Sequence, residues 1–478
     1  MTPDVTALLP LLPVTLALLV VLLRSSIRRN HSAAFTLTCI GLVGGLAGII
    51  PAAGVVPRQV TSLLIIDGFA LFFSGATLAA GLVVTLIARP YLDACDERKE
   101  EFYALLLLAV LGAQVLVSSK HFASFFLSLE LLTVSLVIMI GYLRASNRSL
   151  EAGLKYLFLA TASSAFMLFG LALLYFEFGS MEFGTIGSVV RDGTVRHSSL
   201  LTIGGSLLFV GVGYKLAIVP FHMWTPDIYE GAPAPVTAFV ATVPKGAMIA
   251  FLLRLFVEAG LNQTAPLVAA VSVLAAASMF IGNFLALRQD NLKRLLAYSS
   301  ISHMGYLLVA VVGDSTMATG AAGYYVVAYY VTLLAAVGIV SLLSSGQPEL
   351  MDVEDYRGLF WRRPGIATVL AGAMLSLAGI PLTAGFIGKF LVLSAGVGSA
   401  LWTLVILLVV NSAIGLSYYL RVTVILFSRR EGEQTVGGRE LTLAGGAVLA
   451  ALGVLMLFLG VYPAPLLWIL RLVGMTMQ

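Results

Sequence analysis

Of the chain's 478 residues, 59% are hydrophobic before its 47 glycines are counted, 11% are charged, and the formal net charge is +4. Soluble domains are about 45–50% apolar with glycine included and about 25% charged, and a globular protein must still face water. With a mean hydropathy of +0.99, the composition excludes a soluble domain and leaves a polytopic membrane protein.

The apolar runs are about 18–25 residues long, the length of helices crossing a hydrocarbon core of ~30 Å, which excludes a β-barrel. In chain order they predict an all-α protein of about fourteen transmembrane helices, at 5–23, 34–54, 68–92, 102–118, 122–143, 151–176, 200–222, 233–256, 266–287, 292–312, 319–345, 366–395, 401–427 and 442–470. The first run lacks a basic n-region and continues straight to Arg24, so no cleavable signal peptide is expected. Alternate loops differ in charge. One set, from Arg24 to Arg439, holds sixteen Lys and Arg, and the other holds five: Arg58, Lys120, Arg191, Arg196 and Arg471. The positive-inside rule makes the richer set cytoplasmic and puts both termini outside, on the periplasmic side of a bacterial inner membrane. The longest loops, 177–199 and 346–365, have room for a short amphipathic helix only. With no dinucleotide fingerprint, no P-loop and no cysteine cluster (Cys39 and Cys95 stand alone), electron transfer is left to partners.

A charge inside a transmembrane helix costs roughly 2.5–3.5 kcal/mol on insertion scales, so each one calls for a reason. Four stand out: Glu130 in the fifth run, Lys215 in the seventh, Lys245 in the eighth and Lys389 in the twelfth. The lysines lie too far inside their runs to snorkel easily. Lysine is also the side chain whose proton affinity moves most readily on burial, so a row of them can exchange protons near neutral pH. A carboxylate that merely fixes packing is the alternative for Glu130. Pro244, directly before Lys245, removes a backbone donor and should kink the helix. His222 and His303 near helix ends are weaker relay candidates. Lys155 follows Glu151 at i,i+4, the spacing of a surface pair. Arg254 and Arg421 are expected to snorkel, and the tyrosines at 324–325, 329–330 and 418–419 to serve as packing or interface anchors.

Helix breakers accompany two of the lysines. Pro220 follows Lys215, while Gly379, Pro381 and Gly385 precede Lys389. A discontinuous helix frees carbonyls and exposes dipole ends, and paired interruptions mark inverted-repeat transporters. The expected organisation is helices 1–3 over 1–100, a five-helix unit over 101–256, a second over 257–428, inverted relative to the first, and a last helix in 429–478. Each unit has its break in the fourth helix.

At these residues the chain resembles a known family. The stretches GYKLAIVPFHMWTPDIYEGAPAPVTAF, NLKRLLAYSSISHMGYLL, YRGLFWRRP and LSLAGIPLTAGFIGKF are similar to subunit N of the bacterial proton-pumping NADH:quinone oxidoreductase, respiratory complex I, whose mitochondrial counterpart is subunit 2. The similarity runs from about residue 60 to the end. Lysine at 389 and a stop at Gln478 without a long lateral helix favour subunit N over its sisters M and L. The resemblance implies an antiporter-like, proton-translocating subunit without redox cofactors, seated beside the K and M subunits. Flavin and iron–sulfur clusters would be in partner subunits, NADH and quinone would be met only through the assembled complex, and no nucleic-acid partner is expected. It also assigns Glu130 and Lys215 to a pair, Lys245 to the central axis and Lys389 to the outlet side, with His222, His303 and Lys155 as hydrated-axis residues. A cation/proton antiporter subunit and a structural scaffold of the membrane arm are the rival readings. A Na⁺ site would favour further buried carboxylates, and a scaffold would not need three buried lysines.

Overall fold

A computed structural model describes residues 2–95, 98–192, 197–314, 316–344, 349–429 and 442–476. Arg196, Arg430 and Arg439 of the charge count, and Gln478, lie outside the described residues. The fold is a bundle of helices whose order follows the hydropathy. It begins with α1 (Pro3–Ala7), α2 (Leu12–Ile27) and α3 (His31–Ala53), followed by a small hairpin of β1 (Arg58–Gln59) and β2 (Ile65–Ile66). Next come α4 (Gly68–Asp93), α5 (Lys99–Val117), α6 (Phe122–Ile140), α7 (Asn147–Phe178), α8 (Phe183–Arg191), α9 (Ser198–Leu216), α10 (Trp224–Gly231) and α11 (Ala234–Glu258). The second half holds α12 (Ala265–Ala286), α13 (Leu292–Val312), α14 (Thr316–Leu343), α15 (Leu359–Arg362), α16 (Pro364–Ala378), α17 (Ala384–Gly398), α18 (Trp402–Phe427), α19 (Leu443–Val461) and α20 (Ala464–Thr476).

Among the described residues, twelve helices are long and apolar enough to cross a membrane. With the shorter α2 and the interrupted pair α16/α17 they make fourteen crossings, as the hydropathy predicts. Polar caps set several starts: Asn30 accepts from the Ala33 N–H, Asp67 from Ala70 and Asn291 from Arg294. The run 442–470 is not one helix. Pro463 cannot continue it, Tyr462 takes φ −128° and ψ 74°, and the chain restarts as α20. The short helices expected in the two long loops are α8 and α15.

α11, α13 and α14 are enclosed along nearly their whole length, whereas α3, α7, α12, α18 and α19 expose most of theirs. The three enclosed helices form the core that carries Lys245, His303 and the tyrosine pairs of α14. Contacts sort the loops as the charge asymmetry does. Arg294 pairs with Asp227 and Glu230, Lys155 with Asp227, and Arg421 with Asp290, all at the arginine-rich end. Lys120 pairs with Glu182, and Arg58 with Asp4, at the other.

Arg254 departs from its expectation. It does not snorkel: its side chain is 2% exposed, and its two terminal nitrogens donate to the two carboxylate oxygens of Asp67 at 2.9 Å each. Asp67 caps α4, so the fork locks α4 onto α11. Arg254 also donates to Glu258 Oε1 at 3.2 Å, so removing Asp67 takes away one of its two carboxylates and costs less than the ~3–5 kcal/mol of a buried pair broken outright. Asp67→Ala should therefore lower the thermal unfolding midpoint of the solubilised protein, and an unchanged midpoint would show that the lock contributes nothing.

Candidate functional site

Lys215 lies in the last turn of α9, just before the break expected from Pro220. The helix ends because Ala217 adopts the left-handed region at φ 59° and Pro220, three residues on, has no N–H to donate. Neighbours answer the freed backbone groups: the Trp224 indole donates to the Tyr214 carbonyl at 2.9 Å, and the Val219 N–H donates to Ser278 Oγ at 3.0 Å. The Lys215 backbone is thus in the last turn, while the ammonium reaches across to α6. It donates to Thr133 Oγ1 at 2.6 Å, while the Thr133 hydroxyl gives its own proton to the Leu129 carbonyl at 2.7 Å. Glu130 is one turn away on the same α6, half-buried, and accepts from Ser164 Oγ at 2.5 Å. Glu130 and Lys215 do not touch. Each has a hydroxyl partner on a neighbouring helix instead: Thr133 of α6 for Lys215, Ser164 of α7 for Glu130.

Lys245 is 1% exposed on α11, immediately after Pro244. Its Nζ donates to Ser300 Oγ at 2.5 Å, and the Tyr329 and Tyr229 hydroxyls also reach that oxygen, at 2.6 and 3.3 Å. One turn along α13, His303 is bracketed by two phenols: Tyr325 OH at 2.8 Å from Nδ1 and Tyr419 OH at 3.1 Å from Nε2. Tyr419 also hydrogen-bonds Ser299 Oγ at 2.5 Å. His303 lies within electrostatic reach of both Lys245 and Lys389.

Lys389 stands in α17, and its Nζ donates across the second break to the carbonyl of Ala378, the last residue of α16, at 2.9 Å. The ammonium lies 5.2 Å from the Tyr306 ring centroid, and that ring meets His303 edge-on at 5.5 Å. The two breaks therefore do the same thing. Each puts a lysine beside the C-terminal end of a half-helix: Lys215 stands in the last turn of α9, and Lys389 reaches the end of α16 from across the gap.

The remaining candidates lie elsewhere. His222 is buried within the first break and its Nδ1 has no hydrogen-bond partner. Lys155 is bound at the arginine-rich end by Glu151 at 2.7 Å and Asp227 at 2.9 Å, apart from the other lysines. The paired tyrosines of α14 and α18 are all buried, and three of them, Tyr325, Tyr329 and Tyr419, also supply hydroxyls around Lys245 and His303. Thr133, Ser164 and Ser300 gave no sequence signal; Tyr325 and Tyr419 gave one only as members of pairs. Among the described residues no three His, Cys, Asp or Glu side chains gather as a metal-binding set.

Comparison with known proteins places this arrangement. A family profile described as NADH:quinone oxidoreductase/Mrp antiporter, TM, matches residues 119–415. The chain is 47% identical to NADH-quinone oxidoreductase subunit N of Ectopseudomonas mendocina (strain ymp), over 96% of this chain and 94% of that protein. It is similar to a chain in the structure of respiratory complex I from Thermus thermophilus with bound aureothin, with a TM-score of 0.82 and 32% identity over 96% of this chain and 98% of that one. It shares its fold with a chain of the Mrp complex from Dietzia sp. DQ12-45-1b, with a TM-score of 0.86 and 20% identity over 99% and 97% of the two chains.

At Gly379, φ is +84° and an added Cβ would stand 2.9 Å from Lys389 Cδ. A non-glycine residue in this region costs about 1–2 kcal/mol before any clash. Gly379→Ala should displace the Lys389 ammonium from the Ala378 carbonyl in a determined structure of the variant. An unmoved side chain would show that the glycine does not set its position.

Proposed function

We propose a proton route through a chain that belongs to the subunit N family of NADH-quinone oxidoreductase and is, as such, a proton-translocating subunit of that complex's membrane arm. The route starts at Glu130 and Lys215 and continues through Lys245 and His303 to Lys389. One observation carries it: the hydrogen bonds of all three lysine ammoniums go to neutral oxygens, a threonine hydroxyl, a serine hydroxyl and a carbonyl. A carboxylate partner favours the ammonium form, whereas a neutral one lets the proton leave without stranding a buried anion. Arg254, held by Asp67, is the contrasting structural case, because a guanidinium does not deprotonate.

Making and breaking the Glu130–Lys215 contact loads and unloads the first lysine. Thr133 and Glu130 are three residues apart on α6, so the flexible lysine stem can swing between them. The energy scale is adequate. Moving a charge through a potential of roughly 150 mV costs about 3.5 kcal/mol, equivalent to a change of about 300-fold in proton affinity. Gaining or losing a carboxylate contact at a buried lysine supplies a change of that size.

Around this route we place the rest of the expected organisation. The arginine-rich loops face the cytoplasm and both termini the periplasm, in keeping with the charge asymmetry. The two five-helix units at 101–256 and 257–428 are inverted copies, in keeping with the matching lysine positions at the two breaks. The K and M subunits are the neighbours, and flavin, iron–sulfur clusters, NADH and quinone belong to partner subunits.

Lys215→Arg keeps the charge but cannot release the proton. In the assembled complex in sealed vesicles it should incorporate normally and pump at least about tenfold more slowly, the scale on which a positioned proton carrier acts. Glu130→Gln should do the same. Pumping at the wild-type rate by Lys215→Arg would show that this lysine need not deprotonate.

A further inference from the structure

The route leaves unused the buried ion pair of Lys293 and Glu349. Lys293, at the start of α13, is 0% exposed; its ammonium donates to Glu349 Oε2 and to the Ala232 carbonyl, each at 2.7 Å. The other Glu349 oxygen accepts from the Tyr91 hydroxyl at 2.8 Å and the Ala234 N–H at 2.9 Å. Glu349 also lines an open cavity of about 490 Å³ at the arginine-rich end, walled in part by Arg148, Glu230 and Cys95. One partner of the pair therefore meets water and the other does not.

Its place relative to Lys245 is set by helix geometry. Lys293 and Ser300 are seven residues apart on α13, two turns or about 10.5 Å along one face. Ser300 accepts from both Lys245 and Tyr229, and Tyr229 is on α10, the helix capped by Ala232, whose carbonyl Lys293 holds. The pair thus stands between the cavity and the Lys245 site, stacked over the latter. Leu296 and Ala297, both 0% exposed, occupy the interval on α13 and shut it off from bulk water. The Arg254–Asp67 lock at the opposite end of α11 looks similar but cannot pass a proton, whereas Lys293 can.

We propose that Glu349 and Lys293 form the proton-uptake gate that feeds Lys245, an inference that rests on reading Lys245 as a proton carrier. Glu349 takes a proton from water in the cavity and, once neutral, no longer holds the ammonium. Lys293 then passes its own proton inward to the neutral Lys245 amine, by way of the Tyr229 and Ser300 hydroxyls and a transient water. The Lys293 amine recovers a proton from Glu349, and the ion pair re-forms. One proton enters, one arrives, and the inner transfer waits on uptake from outside.

The test uses the assembled complex in sealed proteoliposomes. Glu349→Gln keeps the length of the side chain and an accepting oxygen but cannot carry a proton. It should assemble, slow pumping at least about tenfold, and recover when formate, a small acid that fits the cavity, is added on the NADH-accessible side. Lys293→Arg keeps the ion pair but not the release; it should slow pumping equally and resist formate. Wild-type pumping by either variant, or a loss in Glu349→Gln that formate leaves untouched, overturns the gate. Lys245→Arg in the same preparation separates the two ideas: if it pumps normally, the carrier role of Lys245 fails, and if it alone is inactive, only the gate does.

Discussion

An ammonium group in an apolar interior is tolerated only where oxygens meet it, and the fold meets that condition at Lys215, Lys245, Lys293 and Lys389. Breaking a transmembrane helix is the main device. The last carbonyls of a half-helix carry partial negative charge and lack intrahelical donors, so the ends of α9 and α16 are natural seats for a cation. Lys389 reaches the second from across the gap, donating to Ala378, while Lys215 stands in the last turn of the first and donates to Thr133 of α6. The breaks in turn need support, which Trp224 and Ser278 give at one and the Gly379 turn at the other.

Within the proposed route, neutral partners set Lys215, Lys245 and Lys389 apart from the Arg254 lock. Arg254 and Asp67 are matched fork to carboxylate, and the result is a fixed joint between α4 and α11. Lys245 has instead a serine oxygen shared with two tyrosines, next to a histidine whose two ring nitrogens each meet a phenol. Hydroxyls and imidazole both give and accept protons, so this cluster can hand a proton on without any heavy atom crossing the membrane. The enclosure of α11, α13 and α14 excludes lipid and bulk water from the cluster.

The architecture was legible in the sequence because hydropathy reports span length directly and a buried lysine is rare enough to notice. Proline and glycine next to Lys215 and Lys389 made the breaks visible as well. Hydroxyl partners were not legible. Serine and threonine in a membrane helix commonly bond their own i−4 carbonyl, as Thr85 does with Gly81, and nothing local tells such a residue from Ser300, which turns to a neighbouring helix. Arg254 was misread because its partner, Asp67, is 187 residues away. The tyrosine pairs were legible as packing residues, but the hydroxyl contacts of Tyr325, Tyr329 and Tyr419 were not, because each partner lies on another helix. Lys155 was legible in its i,i+4 pair with Glu151, while its second partner, Asp227, depends on how α10 docks against α7.

The central claim is that Lys215 alternates between Thr133 and Glu130. Imaging the assembled complex by high-resolution electron microscopy, at rest and during turnover with NADH and quinone, tests it most directly. The account expects a turnover population in which the Lys215 ammonium has left Thr133 Oγ1 for hydrogen-bond distance of the Glu130 carboxylate. An ammonium that stays on Thr133 in every state would contradict it.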